Sequence, residues 1–583
     1  MKRITPDVKK HIVLTIAVLL LFLLLAVVFT RPVAFRAPGA AVEHVSDPPF
    51  QAWSLAWDIH ALSQNPFNLF NANIFYPNPY TLAYSDHQIT NAILAMPIMA
   101  ITHNPMQAAN YMLIFNFFLC ALGAYLLTVH LTGNRMAGVV AGIAFALAPY
   151  KLSHIVHLNL CTAGWIPLTF LFLHRYCEEG RPRDAALAAL FFLLQVLSTW
   201  HYGLILAVAM LLFLIVRLIT DRKTFTLKWI LALAVAMACA ALLVVPFVLP
   251  YLRLQKEDPR FTRSLKEVET FSADVKDFLM APQENLLWGK LSTGMRKEVT
   301  ENGDPAEVTE KSIFPGLMPL LLGLGGLIYL FRKGRGEERF SLWFYLAMLV
   351  VSAILCLGYP LYIFGHRLRV PTLYQVLYYV FPGFKAMRVP PRFSILIALS
   401  LAVLSGFAVK ALLAWLASKR GVKVAALASI LVVALLLVDL MSINMPMEKI
   451  PKRDEFPRVY SWLEGRKGDS PTVELPIPLL QNSTLWLELD PIRTYYSTMH
   501  WKKIMNGYSG FLPTSIYDAS AASGSFPSRK SMDFFKKNKI KYIVVHRAEL
   551  DPVTLGRIAQ WDRTHEDFGL VRSFDSDDVY QLK

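Results

Sequence analysis

The chain opens with an apolar run at residues 12–29, IVLTIAVLLLFLLLAVVF, which follows the basic stretch MKRITPDVKK. A helix of about 18 residues is roughly 27 Å long, which is enough to cross the hydrocarbon core of a membrane. The basic start and the apolar run resemble a secretory signal, but the length of the run also suits an uncleaved anchor. We therefore expect residues 12–29 to form the first of several membrane spans.

Apolar residues dominate the whole chain of 583 residues, since 55% are hydrophobic, only 17% are charged and the mean hydropathy is +0.41. This composition excludes an ordinary soluble globular protein. Ten further apolar runs have spanning length: 108–129, 136–149, 160–175, 184–201, 204–219, 226–250, 313–331, 340–357, 392–416 and 423–441. The sequence thus predicts a polytopic α-helical membrane protein with about eleven transmembrane helices, and the polar residues at 200–203 predict a turn between two of them.

The net charge of +16, from 58 basic and 42 acidic residues, would suggest nucleic acid as a partner of a soluble protein. In a membrane protein the basic residues instead report the orientation, because Lys and Arg accumulate in cytoplasmic loops. Placing the N-terminus in the cytoplasm puts most of these residues in alternate, inner loops. We therefore expect membrane lipids and no nucleic acid as partners. The five cysteines lie far apart and predict neither a disulfide framework nor a cysteine zinc site.

This orientation leaves four large segments on the outer face, at residues 31–107, 251–312, 358–391 and 444–583. We expect a transmembrane domain at 1–443, which carries the first three as loops, and an extracytoplasmic α/β domain at 444–583. In the latter, TVELPI, KYIVVH and DVYQLK are typical of strands and RDEFPRVYSWLEG of a helix. The apolar piece at 89–101 is short and contains Pro97, so it predicts a re-entrant or interfacial helix.

The first outer segment contains EHVSDPPFQAWSLAWDIHALSQNPFNLFNANIFYPNPYTLAYSDHQ at residues 43–88. Phe50, Trp53 and Trp57 recur at helical spacing, which predicts a helix lying flat in the membrane interface. Asp47 stands at the start of this helix and is either its N-cap, with Pro48 as the first helical residue, or a reactive carboxylate. Asp58 falls 11 residues later, where a solvated face is expected.

A first span, a long outer loop with an acidic residue, many further spans and a soluble outer domain resemble the GT-C integral-membrane glycosyltransferases. The nearer resemblance is to bacterial RgtA/B/C/D-like and YfhO-like members, and it covers nearly the whole chain. It rests on the loop just quoted and on three further segments: HIVHLNLCTAGWIPL at 154–168, FSADVKDFLMAPQENLLWG at 271–289 and FPGFKAMRVPPRF at 381–393.

The resemblance implies an enzyme that moves a sugar, with inversion, from a polyprenyl-phosphate donor. The acceptor would be a glycan, a cell-wall polymer or a lipid on the outer face of a bacterial plasma membrane. Asp47 matches the first-loop acid that serves the family as general base. An aspartate is ionised at neutral pH and can take a proton from the acceptor hydroxyl.

The turn YKLSHIVHLNL departs from the family pattern, because many members carry an acid where this chain has His154, His157 and Asn159. The two histidines either contact a metal, sugar or phosphate, or form an interfacial hydrogen-bonding pair. Asp86 and His87 are candidates to complete a metal site. No cofactor is firmly indicated, and a divalent metal stays open. In the outer segment at 251–312, Asp274, Asp277 and Glu284 suggest acceptor or metal contacts, although a solvated amphipathic helix is expected there.

The segment GHRLRVPTLYQVLYYVFPGFKAMRVPPRF at 365–393 breaks the charge rule, since it puts five cations on the outer side: Arg367, Arg369, Lys385, Arg388 and Arg392. Guanidinium groups bind phosphate oxygens through paired, charge-assisted hydrogen bonds. These cations are therefore predicted to bind the donor phosphate, with Arg388 and Arg392 foremost. Contacts with lipid headgroups, or ion pairs with the acidic loop at 251–312, are the alternatives.

Two other functions fit a polytopic protein of this kind. A transporter or flippase of lipid-linked glycans would need polar residues within several spans and interrupted helices, whereas these spans are largely apolar. A non-catalytic scaffold for envelope assembly would use the outer domain to bind a partner.

Overall fold

The computed structural model describes residues 6–583 except 43, 45, 303, 304 and 444. The basic residues that open the chain and Asn444, where the predicted outer domain begins, thus lie outside the described residues. The chain forms two compact units. The helical unit comprises Met1–Phe35, Tyr111–Phe247 and Asp258–Pro446, and the mixed unit comprises Arg36–Asn110, Val248–Glu257 and Met447–Lys583.

Eight helices in the described part of the chain are long and apolar enough to cross a membrane. They are His11–Phe29, Pro105–Thr132, Arg135–Ser153, Trp200–Thr220, Leu227–Glu257, Glu337–Cys356, Pro390–Arg420 and Val422–Leu440. The other three predicted spans are helices of 15 to 17 residues: Trp165–Glu179, Pro182–Val196 and Leu317–Lys333. The chain is therefore a multi-pass membrane protein, as predicted. Two helices are separated near the predicted turn, but the break lies at residues 197–199, and the polar residues 200–203 begin the second helix.

The Ser394–Arg420 helix forms the centre of the helical unit, and its first half is almost entirely buried. The Leu317–Lys333 helix packs closely against it through glycine. A Cβ atom at Gly326 would lie 1.9 Å from the Leu404 carbonyl oxygen, so no larger residue fits at this crossing. Small residues allow membrane helices to approach in this way when van der Waals packing is the main attraction between them.

Shorter helices complete the helical unit and lie mostly in its connecting segments. They are Leu158–Cys161, Leu265–Phe271, Thr293–Asn302, Pro305–Lys311 and Leu373–Val380. A two-stranded hairpin pairs Leu361–Ile363 with His366–Leu368. The Asp274 carboxylate accepts hydrogen bonds from the Phe364 and Gly365 N–H groups at the hairpin turn.

These contacts correct the prediction of a solvated amphipathic helix in the outer segment at 251–312. Asp274 and Asp277 are both buried, and Asp277 accepts a hydrogen bond from the Asp274 N–H at 2.8 Å. Burial raises the pKa of Asp277 to about 6. The sequence pattern suggested a solvated polar face. It could not show that a buried carboxylate would accept hydrogen bonds from the backbone of a neighbouring turn.

The mixed unit contains the predicted α/β sheet, with four strands in the order Thr472–Leu475, Tyr542–His546, Asp577–Leu582 and Phe568–Ser573. The first pair is parallel and the other two pairs are antiparallel. Val544 lies opposite Val579, and both pack on Tyr460 and Leu463 of the Arg458–Glu464 helix. The predicted strands and helix are thus present, whereas the strand Phe568–Ser573 was not expected.

Most other elements of the mixed unit are helices: Arg31–Arg36, which ends in it, Asp47–Gln64, Ile89–Thr102, Ser483–Tyr496, Thr514–Gly524, Arg529–Lys537 and Pro552–Thr564. A short strand, Ala40–Val42, pairs with Met447–Lys449. The first outer segment and the C-terminal region therefore belong to one compact unit, although they are separated by more than 300 residues in sequence.

The aromatic stripe of the Asp47–Gln64 helix is buried by protein, which corrects the expected flat, lipid-facing helix. Phe50 packs edge-on against Tyr508, with ring centroids 5.3 Å apart. The Trp53 indole N–H donates to Asn73 Oδ1 at 3.1 Å, and that of Trp57 donates to the Leu69 carbonyl at 2.8 Å. Spacing identified the apolar face correctly but could not distinguish lipid from protein as its cover.

Candidate functional site

Several polar side chains of the helical unit contact the buried carboxylate of Glu310. Arg392 donates from Nη2 to Glu310 Oε1 at 2.5 Å and from Nε to the same oxygen at 3.2 Å. His154 Nε2 lies 3.3 Å from the other oxygen, Oε2, which also accepts from the Tyr150 hydroxyl at 3.5 Å. We call Tyr150, His154, Glu310 and Arg392 the Glu310 cluster. Two prolines fix the backbone just before Arg392, in a short turn that leads into the central helix.

The ion pair with Arg392 determines the charge of Glu310. Burial alone would raise the pKa of this carboxyl group, but Arg392 and His154 outweigh burial and hold the pKa well below its usual range. Burial lowers the pKa of His154, so its imidazole is neutral at pH 7. The cluster therefore contains an ionised carboxylate, a guanidinium group and a neutral imidazole.

The charge of Arg263 interacts with those of two other guanidinium groups, Arg388 and Arg392. Burial and these charges lower the pKa of Arg263 to about 10, although Arg263 also pairs with Glu267 at 3.0 Å. Arg388 lies over the Phe271 ring, 5.1 Å from its centroid. We call Arg263, Arg388 and Arg392 the guanidinium cluster. Guanidinium groups can offer charge-assisted hydrogen bonds to an anion with several oxygen atoms.

The other three cations predicted to bind the donor phosphate, Arg367, Arg369 and Lys385, are either paired with an acid or exposed. Arg367 pairs with Glu269 at 2.5 Å, and Glu269 also accepts from the Tyr362 hydroxyl at 2.9 Å. Arg369 and Lys385 are exposed. Arg367 and Arg392 thus form ion pairs with the acidic loop at 251–312, which is the alternative that the sequence left open for the cations.

The two histidines of the second outer turn form a pair. His154 Nδ1 and His157 Nδ1 lie 3.3 Å apart, and His154 also contacts Glu310. Asn159 is buried in the short helix that follows. Among the described residues, three potential metal ligands converge at His174, Glu178 and Glu337, not at His154 and His157. The geometry of the pair fits the hydrogen-bonding alternative, and a metal on these two residues stays a prediction.

Asp47 lies in the mixed unit, as the first residue of its helix. Ser46 occupies the N-cap position, so the structure does not give Asp47 the capping role. The Tyr508 hydroxyl donates to Asp47 Oδ1 at 3.2 Å, and the Ser46 hydroxyl in turn donates to the Tyr508 oxygen at 3.0 Å. The Asp47 side chain is 18% exposed. The carboxylate is thus oriented by a phenol and remains accessible.

His44 also approaches Asp47, at 3.5 Å between Nδ1 and Oδ2. The Asp47 backbone N–H donates to the same Nδ1 atom at 3.3 Å. His44 thus contacts both the backbone and the side chain of Asp47.

Asp58 is completely buried, which corrects the solvated face expected for it. Its Oδ2 atom accepts a hydrogen bond from the Gln88 N–H at 2.8 Å. Burial raises the pKa of Asp58 to about 7, although that hydrogen bond lowers it, and the nearby charge of Asp86 raises it further. His87 is also buried, and burial lowers its pKa. Asp86 and His87 thus lie with Asp58 in the mixed unit, and their predicted role in a site with His154 and His157 stays a prediction.

Three members of the two clusters were not predicted: Tyr150, Arg263 and Glu310. Arg263 and Glu310 lie in the acidic loop at 251–312, where the sequence drew attention to Asp274, Asp277 and Glu284 instead. The only available signal was that the cations at 365–393 needed partners of opposite charge. Nothing in the local pattern indicates which of the many acids of the loop is buried beside Arg392.

These elements define a multi-pass α-helical membrane protein with a GT-C-like fold and a C-terminal α/β domain. The chain belongs to the DUF6311 family, described as a domain of unknown function, whose model matches residues 15–444. No curated protein sequence matches the chain.

Solved structures with a similar fold include three glycosyltransferases. The chain superposes on arabinofuranosyltransferase AftD from Mycobacteria with a TM-score of 0.51 at 13% identity, covering 97% of this chain and 41% of that one. For the oligosaccharyltransferase of Archaeoglobus fulgidus, in complex with Zn and sulfate, the TM-score is 0.48 at 16% identity, covering 91% and 68%. For ArnT from Cupriavidus metallidurans in the apo state, the TM-score is 0.44 at 11% identity, covering 98% of each chain. At these identities the likeness concerns the fold alone.

Proposed function

We propose that this protein is a glycosyltransferase that moves a sugar from a polyprenyl-phosphate donor to a hydroxyl group of a glycan, a cell-wall polymer or a lipid. The observation that carries the proposal is the guanidinium cluster. The charges of Arg388 and Arg392 both act on Arg263 and lower its pKa. Arg263 and Arg392 are oriented by Glu267 and Glu310, and guanidinium groups also bind phosphate oxygens through charge-assisted hydrogen bonds, so the phosphate of a lipid-linked sugar is an anion that this cluster can bind.

In this proposal the guanidinium cluster acts on the leaving group. As the bond between the anomeric carbon and the phosphate oxygen breaks, negative charge grows on the phosphate. Preorganised guanidinium groups stabilise that charge more strongly in the transition state than in the bound donor. The ion pair with Glu310 holds Arg392 in place, so that little reorganisation is needed during the reaction.

Asp47 serves as the general base. Its carboxylate takes the proton of the acceptor hydroxyl as the new bond to the anomeric carbon forms on the face opposite the phosphate, so the reaction inverts the configuration. The hydrogen bond from Tyr508 supports this role, because it fixes one carboxylate oxygen and stabilises the ionised form. AftD is itself named an arabinofuranosyltransferase, and its similar fold supports the same general kind of reaction.

The setting completes the proposal. We place the protein in a bacterial plasma membrane, with a cytoplasmic N-terminus and an extracytoplasmic domain at 444–583, because that orientation puts most Lys and Arg residues inside. Within the GT-C glycosyltransferases, its relatives would be the RgtA/B/C/D-like and YfhO-like proteins.

The test is to compare surface glycans and lipid-linked intermediates, by mass spectrometry, in cells with and without the gene. Loss of the protein should remove one sugar from a glycan, polymer or lipid and should leave its polyprenyl-phosphate donor unused. A plasmid with Asp47→Asn should fail to restore the sugar, while Asp533→Asn, an exposed aspartate in the Arg529–Lys537 helix, should restore it.

With purified protein and the donor so identified, Asp47→Asn should lower turnover by roughly 10²- to 10⁴-fold. Wild-type turnover by this variant would remove Asp47 as the base. Full restoration of the glycan in cells by the same variant would instead favour a flippase or a scaffold.

A further inference from the structure

Four potential metal ligands meet where several helices of the helical unit begin or end. His130 lies near the end of the Pro105–Thr132 helix, and Glu178 lies one turn after His174 near the end of the Trp165–Glu179 helix. Glu337 is the first residue of the Glu337–Cys356 helix. The distribution of Lys and Arg predicts that these helix ends are cytoplasmic, on the side opposite the proposed sugar transfer.

The potential ligand atoms converge on one point. One atom each of His174, Glu178 and Glu337 lies within 4.8 Å of the other two. His130 adds a nitrogen, since its Nε2 atom is 3.2 Å from Glu178 Oε2. The spacing of His174 and Glu178, four residues apart on one helix, puts both side chains on the same face.

One nitrogen of each histidine makes no hydrogen bond to any described residue. His174 is completely buried, and its Nε2 atom lies 3.2 Å from the Tyr345 hydroxyl. Its other nitrogen, Nδ1, is buried with no hydrogen-bond partner among the described residues. His130 Nε2 is likewise buried and makes no hydrogen bond within the described part of the chain, even though Glu178 is close. A buried polar atom without a partner normally costs about 1–3 kcal/mol, which a bound ion would remove.

The neighbours of these side chains resemble the outer shell of a metal site. If His174 donates its Nε2 hydrogen to Tyr345, its Nδ1 atom carries the lone pair that a metal requires. Arg217 donates to both oxygens of Glu337, at 2.8 Å and 3.0 Å, and so fixes the orientation of this carboxylate. Each carboxylate oxygen has two lone pairs, so this ion pair still allows Glu337 to bind a cation.

We propose that His174, Glu178 and Glu337, with His130 as the fourth ligand, bind one divalent transition-metal ion of the Zn²⁺ class. Two imidazole nitrogens and two carboxylates suit Zn²⁺, whereas Mg²⁺ and Ca²⁺ prefer oxygen atoms alone. The ligands of a tetrahedral Zn²⁺ ion lie roughly 3.3 Å apart, so the ligand atoms of His174, Glu178 and Glu337, which are now within 4.8 Å of one another, need to approach by no more than about 1.5 Å. Small side-chain rotations provide this movement. The ion would fasten the ends of three helices together, and the inference does not depend on the proposed function.

The experiment uses the full-length protein in detergent, freed of any affinity tag and of metal by a chelator. Zn²⁺ is titrated in competition with a chromophoric chelator, bound metal is counted by mass spectrometry, and Co²⁺ serves as a spectroscopic probe. The wild type should bind one Zn²⁺ per chain with a Kd of about 1 µM or tighter, and Co²⁺ should give the visible absorption of a tetrahedral complex.

Glu178→Gln should weaken Zn²⁺ binding by at least about 100-fold, because it removes a ligand. Glu179→Gln is the matched control, since Glu179 is the adjacent residue in the same helix and pairs with Arg181. It should bind like the wild type. The apparent Tm provides a second readout, as Zn²⁺ should raise it in the wild type and in Glu179→Gln but not in Glu178→Gln.

Equal Zn²⁺ binding by the two variants would overturn the proposal, because the metal would then lie elsewhere. A wild type that binds no Zn²⁺ in this range, with no change of Tm, would also overturn it. The cluster would then be a set of ion pairs and hydrogen bonds only. A Glu178→Gln variant that keeps the elution volume and metal-free Tm of the wild type, yet loses the metal, supports the proposal and excludes misfolding as the cause.

Discussion

The two units each contain a buried glutamate with the same kinds of neighbour. Glu310 in the helical unit contacts a tyrosine hydroxyl and a histidine Nε2 atom and pairs with Arg392. Glu474 in the mixed unit accepts from the Tyr460 hydroxyl at 2.6 Å, lies 3.2 Å from His546 Nε2 and is close to the charge of Arg493. Similar components thus occur twice, in different folds.

The surrounding charge distinguishes the two clusters. In the mixed unit, His546 Nδ1 contacts a second carboxylate, Asp577, at 2.8 Å, and Arg493 pairs with Glu549. Acids there outnumber cations, and each charge has an opposite neighbour. Around Glu310, the histidine meets a second histidine, and the charges of Arg392 and Arg388 both act on Arg263. The comparison teaches that a buried Glu–His–Arg set does not by itself indicate a ligand site, and that the neighbouring guanidinium groups are the feature that distinguishes the Glu310 cluster.

The largest effect should appear when the cation of either cluster is removed. Arg493→Met leaves Glu549 and Asp490 without their cation, and Arg392→Met leaves the buried Glu310 without its guanidinium partner. Each change should cost about 3–5 kcal/mol of stability, because the remaining charge loses its partner away from water. The apparent Tm of the full-length protein in detergent measures this loss.

Arg453→Met is the control for these substitutions, since Arg453 forms a largely exposed ion pair with Glu464. It should change stability by at most about 1 kcal/mol. If Arg392→Met were as mild as this control, the Glu310 cluster would not be a buried ion pair, and the comparison would fail.

Arg388 should show the opposite behaviour, with an effect on catalysis and little on stability. Arg388→Ala should lower kcat/KM for the polyprenyl-phosphate donor by about 10- to 100-fold, on about 1.5–3 kcal/mol for a hydrogen bond between charged groups. The Tm should stay near the wild-type value, because the Arg388 side chain is only partly buried.

Arg529→Ala, at an exposed position of the mixed unit, is the matched control and should keep full activity. Equal kinetics for Arg388→Ala and Arg529→Ala would remove the guanidinium cluster as the donor site. The ion pairs of Arg392 would then have a purely structural meaning.

The smallest effect should be a pH dependence confined to the mixed unit. Burial and Arg493 would lower the pKa of His546, but its hydrogen bonds to Asp577 and Glu474 prevail and raise it. A raised folded pKa stabilises the protein below the unfolded value of about 6.5, and this contribution is lost as the pH rises through the folded pKa. Burial alone would raise the pKa of Glu474, but His546 outweighs burial and lowers it. Glu474 therefore stabilises the folded protein above its unfolded pKa of about 4.5, and this stabilisation is lost as the pH falls through the folded pKa.

His546→Gln should therefore reduce the fall of the apparent Tm between pH 6 and 9, by an amount that corresponds to roughly 1 kcal/mol. His366→Gln, at an exposed position of the hairpin, should leave the pH profile unchanged. A variant whose Tm falls with pH as steeply as that of the wild type would show that His546 does not titrate in this range.

Much of the fold follows from the sequence, because a membrane span must satisfy all its backbone hydrogen bonds internally and so appears as a long apolar run. Three of the four strands of the C-terminal sheet were predicted for similar local reasons, and so was a helix break near Trp200, although the break lies just before the residues expected to form it. The strand Phe568–Ser573 was missed because most of its residues are exposed, which leaves little alternation of polar and apolar residues.

The site was less predictable, because its contacts join distant parts of the chain. The cations at 385–392 were recognised by their sign on the outer side, which is a local property. Glu310, the partner of Arg392, lies 82 residues before it, and the buried Asp58 accepts a hydrogen bond from Gln88, which is also distant in sequence. Neither partnership leaves a trace in periodicity or composition, so these residues could be found only in three dimensions.

The assembly of the mixed unit has a consequence for biosynthesis. Its parts come from residues 36–110, from 248–257 and from 447–583, so the first part leaves the ribosome long before the last. Asp47 meets Tyr508 only after some 460 further residues have been made. Until Tyr508 has been made, the part of the aromatic face that packs against it stays uncovered, and the proposed base lacks the hydroxyl that orients it.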